Sequence, residues 1–191
     1  MKTRNDLEIT CICVAFLWIV YFLGWALPFD LRNCGIKPRS INGLQGLFFA
    51  PFLHSGVRHL FSNSMALAPL LFFSLAYGRK SALKAVVFIA LVGGAGIWLF
   101  GKSHTVHVGS SGIVFGLIGY LMAMGLFTRS LSALFVSLVV ATYYGWMLSS
   151  FFIILPGVSW TGHFFGFISG VLAAWFTTRN DAGRERQDKA K

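Results

Sequence analysis

Among the stretches of this chain that contain no Asp, Glu, Lys or Arg are residues 9–29, 59–78, 85–101, 103–128 and 130–178, which are 21, 20, 17, 26 and 49 residues long. A helix that crosses the hydrocarbon core of a bilayer needs about 20 largely apolar residues. Each of the first four runs is close to one such helix, and the fifth is long enough for two, with Pro156-Gly157 as the natural break. Only 12% of the residues are charged, where about 25% is usual in a soluble domain. The pattern predicts an all-α polytopic membrane protein with six spans, at roughly 9–27, 60–78, 82–100, 110–127, 131–155 and 159–178. A secretory signal would also set Lys2 and Arg4 before an apolar run. The bulky Trp18, Tyr21, Phe22 and Trp25, however, leave no small-residue cleavage site.

Charge then orients the spans and removes whole classes of function. With six spans, eleven of the 16 basic residues fall on the side of both termini, and five (Arg32, Lys37, Arg39, Arg58 and Lys102) fall on the other. By the positive-inside rule both termini are cytoplasmic, so the even-numbered spans run inward. The net charge of +10 is scattered singly between apolar runs or collected in the tail, which suits a lipid surface and gives no nucleic-acid patch. No carboxylate side chain occurs between residues 31 and 180. That excludes an internal carboxylate pair, an Asp/Glu metal cage and a triad completed by Asp.

Outside the spans the chain divides simply. Residues 1–8 are a cytoplasmic lead-in, 9–178 form the membrane domain, and 179–191 are a charged cytoplasmic tail expected to have no fold of its own. Residues 28–58 mix Pro28, Pro38, Pro51 and several glycines with Leu47, Phe48, Phe49, Phe52 and Leu53. This composition predicts an external loop lying partly in the interface and packed on protein. Cys11, Cys13 and Cys34 are odd in number and lack metal-ligand spacing.

The polar residues inside the apolar runs gather at one depth. Span two begins with His59 and Asn63, span four with Gly109-Ser110-Ser111-Gly112, and span six with Gly162-His163. All three spans run inward, so these groups meet a little below the outer surface. Polar groups are costly there unless they pair or line a wet cavity. A serine at a helix start is by itself a cap, and a histidine in a span is by itself an interhelical hydrogen-bonding residue; the joint pattern carries the information. Ser111 is the candidate nucleophile, because free N–H groups at a helix start favour a developing oxyanion. His163 is the candidate base. With no carboxylate nearby they form a dyad, and the imidazole is left to be oriented by packing, for example on Phe115. His59 and Asn63 are i and i+4 on one face and can both donate hydrogen bonds, which suits an oxyanion hole. Gly112, Gly116 and Gly119 in span four, and Gly162, Gly166 and Gly170 in span six, form small-residue stripes that let two backbones approach closely. His54 falls in the loop, placed to organise hydrogen bonds.

At these residues the sequence resembles the rhomboid intramembrane serine proteases. His54 and His59-Leu60-Phe61-Ser62-Asn63 match that family's H-x-x-x-N in the second span. Gly109-Ser110-Ser111-Gly112 matches its G-x-S-G, and Gly162-His163 with Gly166 and Gly170 lies close to its A-H-x-x-G-x-x-x-G. The resemblance implies a six-helix bundle that cleaves transmembrane segments of other membrane proteins without a metal or other cofactor, and a bacterial inner-membrane location. It also implies Ser111 as nucleophile, His163 as base, and His59 with Asn63 at the oxyanion. Three departures stand out. Gln45-Gly46 occupies the place of a Trp-Arg pair, which puts the loop's usual anchoring in question. Phe115 replaces a common Tyr, and Gly162 a common Ala. Two rival readings remain open: an inactive rhomboid-like protein that binds transmembrane helices, and a small transporter or metal carrier using His54, His59, His104, His107 and His163. The second is weak, since a site without carboxylate or thiolate partners suits few divalent metals.

Overall fold

The computed structural model describes residues 2–128, 130–152 and 158–188, with side chains described from Thr3 to Arg179 within those ranges. Among the described residues the regular elements are all helices, with one isolated β-bridge between Ile36 and His107. The long helices are α1 (Lys2–Ala26), α3 (Val57–Tyr77), α4 (Arg79–Phe100), α5 (Ser111–Thr128), α6 (Leu131–Tyr144) and α7 (Trp160–Asp188); a single turn, α2 (Gly46–Phe49), lies in the first loop. A 3₁₀ helix, Gly145–Phe151, continues α6. Among the described residues, five segments are long and apolar enough to cross a membrane: Thr3–Ala26, Val57–Tyr77, Arg79–Phe100, Ser111–Thr128 and Leu131–Phe151. α7 starts where the sixth span is expected. The predicted break at Pro156-Gly157 lies outside the described residues.

Two expectations need correction. The fifth span is α-helical only to Tyr144 and then tightens into seven residues of 3₁₀ helix, although 3₁₀ runs beyond three or four residues are uncommon. The tail does not leave the last helix at residue 178: α7 runs on to Asp188. No proline interrupts residues 179–188, and Ala182, Arg184, Glu185, Arg186 and Gln187 are all good helix formers.

α5 is the hub. It touches α3, α4, α6 and α7, and every residue from Val114 to Leu121 is buried. Its contact with α7 is made by the glycine stripes. A Cβ added at Gly166 would collide with the Gly112 carbonyl, one at Gly170 with the Gly116 carbonyl, and one at Gly119 with the Phe167 carbonyl. The backbones therefore meet directly, which in lipid replaces the hydrophobic drive that water would supply. α1 is tied to α3 by Trp18 Nε1–H donating to Ser64 Oγ at 3.1 Å, and to α4 by an ion pair between buried Asp6 and Arg79.

The first loop packs as expected, through anchors that its composition did not reveal. Ile36, Ala50 and Ile97 form a small separate core with Trp98 against it. Ile36 and His107 exchange backbone hydrogen bonds of 3.0 and 2.9 Å. Arg39 Nη1 donates to the Leu99 carbonyl at 2.8 Å, and its Nη2 reaches Ser103 Oγ. A cation thus covers the unpaired carbonyls at the end of α4. Trp98 Nε1–H donates to the Ser40 carbonyl at 2.8 Å. Gly46, one of the two residues in place of the Trp-Arg pair, is buried so closely on the Gly35–Ile36 backbone that no side chain fits. The loop is held without that pair.

Candidate active site

The turn into α5 brings three helix starts together. Gly109 has φ +117°, a conformation that L side chains rarely adopt, and its N–H donates to the Ala50 carbonyl at 2.9 Å. The His59 ring and Asn63 Nδ2 crowd the space that a Cβ at Gly109 would occupy, so His59 and Asn63 flank this turn on one face of α3. Glycine is required here twice, by its dihedral angle and by its neighbours.

The two serines that follow point to different partners. Ser110 is buried and faces His54, with its N–H 3.5 Å and its Oγ 3.4 Å from His54 Nε2. Asn63 Nδ2 lies 3.1 Å from the same nitrogen. A backbone N–H and an amide NH₂ can only donate, so Nε2 is the acceptor and neutral His54 carries its proton on Nδ1. Burial pushes the His54 pKa down to about 4, the nearby His59 adds to the effect, and a backbone interaction with Phe52 opposes it. His54 therefore braces Asn63 against the α5 start while remaining uncharged at neutral pH.

Ser111 is half-buried and lines a cavity of about 40 Å³ with His107, Gly109, Gly112, Ser159 and Gly162. That is room for about one water. His107 is held on both ring nitrogens, Nδ1 at 2.8 Å from Ser159 Oγ and Nε2 at 2.9 Å from Thr105 Oγ1, and burial lowers its pKa. Ser159 also caps α7, accepting the Gly162 N–H at 3.1 Å. Among the described residues no three His, Cys, Asp or Glu side chains converge.

His163 occupies the first turn of α7 and is buried. Its ring stacks on Phe115 at 4.0 Å between centroids and 13° between planes, and Nδ1 lies 2.9 Å from Ser150 Oγ. Packing is thus only part of what orients this imidazole; the 3₁₀ helix contributes a hydroxyl that the sequence did not single out. Ser111 and His163 sit in the first turns of the two helices that meet at Gly112 and Gly166. The close glycine contact predicts a direct hydrogen bond from Ser111 to His163, but none joins them, and Nδ1 of His163 is engaged by Ser150 instead. A loose nucleophile–base pair is common in sites without bound substrate.

His59 and Asn63 on α3, with His54 in the loop before it, thus gather at the Gly109 turn, whereas Gly112, Phe115, His163, Gly166 and Gly170 lie along the α5–α7 contact that begins beside Ser111. Sequence reasoning missed Ser110, Ser150, Ser159 and the part played by His107. Ser159 carried a signal, a serine just before an apolar helical run. Ser150 carried none.

The Rhomboid domain model matches residues 42–180, a range that contains every one of these residues. The chain belongs to the rhomboid family. Among its relatives, uncharacterized protein Rv1337 of Mycobacterium tuberculosis is 36% identical over 170 residues, covering 85% of this chain and 71% of that protein. Uncharacterized protein ML1171 of Mycobacterium leprae is 32% identical over 173 residues, covering 85% and 67%. A Bacillus subtilis protein named "Putative rhomboid protease YdcA" is 30% identical over 181 residues, covering 89% and 87%. Family membership and the apolar helices together make this an integral, multi-pass membrane protein.

Proposed function

We propose that this rhomboid is an intramembrane serine protease that hydrolyses peptide bonds in or near transmembrane segments of other membrane proteins. What supports the reading is that His59 and Asn63 crowd the Gly109 turn leading into Ser111, and that His163 stacks on Phe115 where the first turns of α5 and α7 meet. Ser111 Oγ attacks the scissile carbonyl carbon while His163 Nε2 takes its proton. The carbonyl oxygen, now an oxyanion, accepts hydrogen bonds from His59, Asn63 Nδ2 and the Ser111 N–H. The C–N bond breaks, His163 returns the proton to the leaving amine, and a water activated by the same nitrogen hydrolyses the acyl-serine. Neither a metal nor another cofactor is called for.

The protein is placed with six spans, both termini cytoplasmic, in a bacterial inner membrane. Basic residues on the terminal side support that orientation. Substrate helices enter from lipid beside α6, which among the long helices packs chiefly on α5. Cleavage of a single-span substrate by the reconstituted protein is expected to vanish in Ser111→Ala and in His163→Ala, and to fall about 100-fold in Asn63→Ala. Full activity in either of the first two variants would reject the dyad.

A second reading, a rhomboid that binds transmembrane helices without cutting them, draws on the absence of a Ser111–His163 hydrogen bond and on Gln45-Gly46. A serine-directed phosphonate separates the two. Covalent labelling at Ser111 that disappears in His163→Ala supports the protease, and an unlabelled, folded wild type supports the binder.

A further inference from the structure

We propose that Ser150 is a positioning residue that holds His163 in the tautomer with its proton on Nδ1, standing where other serine hydrolases place a carboxylate. The inference builds on the protease reading above. It starts from the 2.9 Å separation of Ser150 Oγ and His163 Nδ1. One ring nitrogen of a neutral histidine donates and the other accepts. If Nδ1–H donates to Ser150 Oγ, the Nε2 lone pair is free to take a proton from Ser111. If Ser150 O–H instead donates to Nδ1, Nε2 carries the proton and cannot act as a base. The hydroxyl can play either part, so the direction of this one bond sets the competence of the site.

Ring contacts hold the imidazole and the hydroxyl against each other. Phe115 stacks on the imidazole and fixes its plane. Phe151, next to Ser150, packs on Phe115 at 5.7 Å and on Phe167 at 5.6 Å, which seats the 3₁₀ helix beside the ring. No acidic side chain lies between residues 31 and 180, so the group beside Nδ1 is a hydroxyl, which can donate or accept, rather than a carboxylate, which can only accept. The bond also ties the base to a separate element. Ser150 belongs to the continuation of α6, whereas His163 belongs to α7, so a displacement of the 3₁₀ helix removes the partner of Nδ1 without touching Ser111.

The test uses the full chain reconstituted in lipid, with ¹⁵N-labelled histidine and with the His163 resonances assigned by their loss in His163→Ala. The wild type is expected to show protonated Nδ1 and unprotonated Nε2. Ser150→Ala should show a mixture of tautomers, and Ser150→Thr should restore the wild-type pattern. In the cleavage assay Ser150→Ala should lower kcat about tenfold with KM unchanged, the size expected for one lost hydrogen bond, and Ser150→Thr should recover it. A wild type protonated on Nε2 overturns the proposal even if Ser150→Ala does not fold, as does a tautomer or a kcat indifferent to Ser150→Ala. A Ser150-dependent tautomer in a chain that cleaves nothing would refute the protease reading while leaving the positioning role intact. Cleavage with a tautomer indifferent to Ser150 would do the reverse.

Discussion

The α5–α7 pair and the α6 segment are both apolar and both close to the site, yet they are held in opposite ways. Gly112, Gly116, Gly166 and Gly170 let α5 and α7 touch backbone to backbone. α6 rests on α5 alongside Gly125, which meets Ser137 and the Ala133 carbonyl, with Val140 buried in the core and Ser137 Oγ–H donating to the Met122 carbonyl at 3.0 Å, and it turns Leu131, Phe135, Leu138 and Tyr143 outward. Lipid surrounds such side chains as well as protein does, so their apolarity does not hold α6 in place. The proposed nucleophile and base thus ride on the fixed pair, while the hydroxyl that partners the base rides on the loosely held element.

The harshest way to break this contrast is to fill the fixed contact. Gly170→Leu has no room against the Gly116 carbonyl. It should separate α5 from α7 and leave little folded protein, seen as loss of the monodisperse peak in detergent chromatography. The milder Gly170→Ala should cost about 1–3 kcal/mol, read as a lowered thermal midpoint. A Gly170→Ala protein as stable as wild type would show that the two backbones do not meet as described.

Acid tests the other flank of the fixed region. His54 has a folded pKa of about 4, against about 6.5 in an unfolded chain. Between those values the unfolded chain binds a proton that the folded protein refuses, so stability rises with pH through this window and is lost on acidification. The full effect is about 3 kcal/mol between pH 6.5 and pH 4. His54→Gln keeps a polar side chain without the titration and should flatten that part of the pH profile of the thermal midpoint. An unchanged slope would assign the acid sensitivity to other groups.

How much of this could be read beforehand follows the same division. The long helices were legible because a charge-free run in lipid has few alternatives to a helix, and the starts of α3, α5 and α7 fell within about three residues of expectation. Gly109, Ser111, His59, Asn63 and His163 could be singled out as candidates because each falls within two turns of a helix start, where topology alone fixes depth. The anchors could not. Arg39 reaches Leu99 and Ser103, Trp98 reaches Ser40, and Ser150 reaches His163 from the 3₁₀ helix. None of these pairings leaves a local period, because each depends on how a loop or an irregular turn folds over a helix distant in sequence. The 3₁₀ stretch was hidden for a related reason: Gly145–Phe151 is as apolar as a span, and hydropathy does not distinguish a 3.0-residue turn from a 3.6-residue one.

The loosely held element should answer more quietly. Ser137→Ala removes the one side-chain hydrogen bond described between α6 and α5 and should cost about 0.6–1 kcal/mol in the thermal midpoint, well below Gly170→Ala. A larger loss would mean that α6 is as firmly seated as α7.

Gly145→Ala should have the smallest effect, and it discriminates best. Gly145 opens the 3₁₀ helix with φ −58° and ψ −34°, an ordinary right-handed conformation, and a Cβ there would meet nothing within 4 Å. Neither backbone nor packing requires glycine at this position, in contrast to Gly109 and Gly170. Alanine should therefore leave the fold unchanged or stabilise it by a few tenths of a kcal/mol, through the smaller conformational freedom of the unfolded chain. If glycine serves as a joint that lets the 3₁₀ segment swing, the same substitution should lower kcat for a single-span substrate by a few-fold while stability is kept or gained. Unchanged turnover together with unchanged stability would show that the α6 junction bends elsewhere, leaving the Ser150–His163 contact as the link between that element and the site.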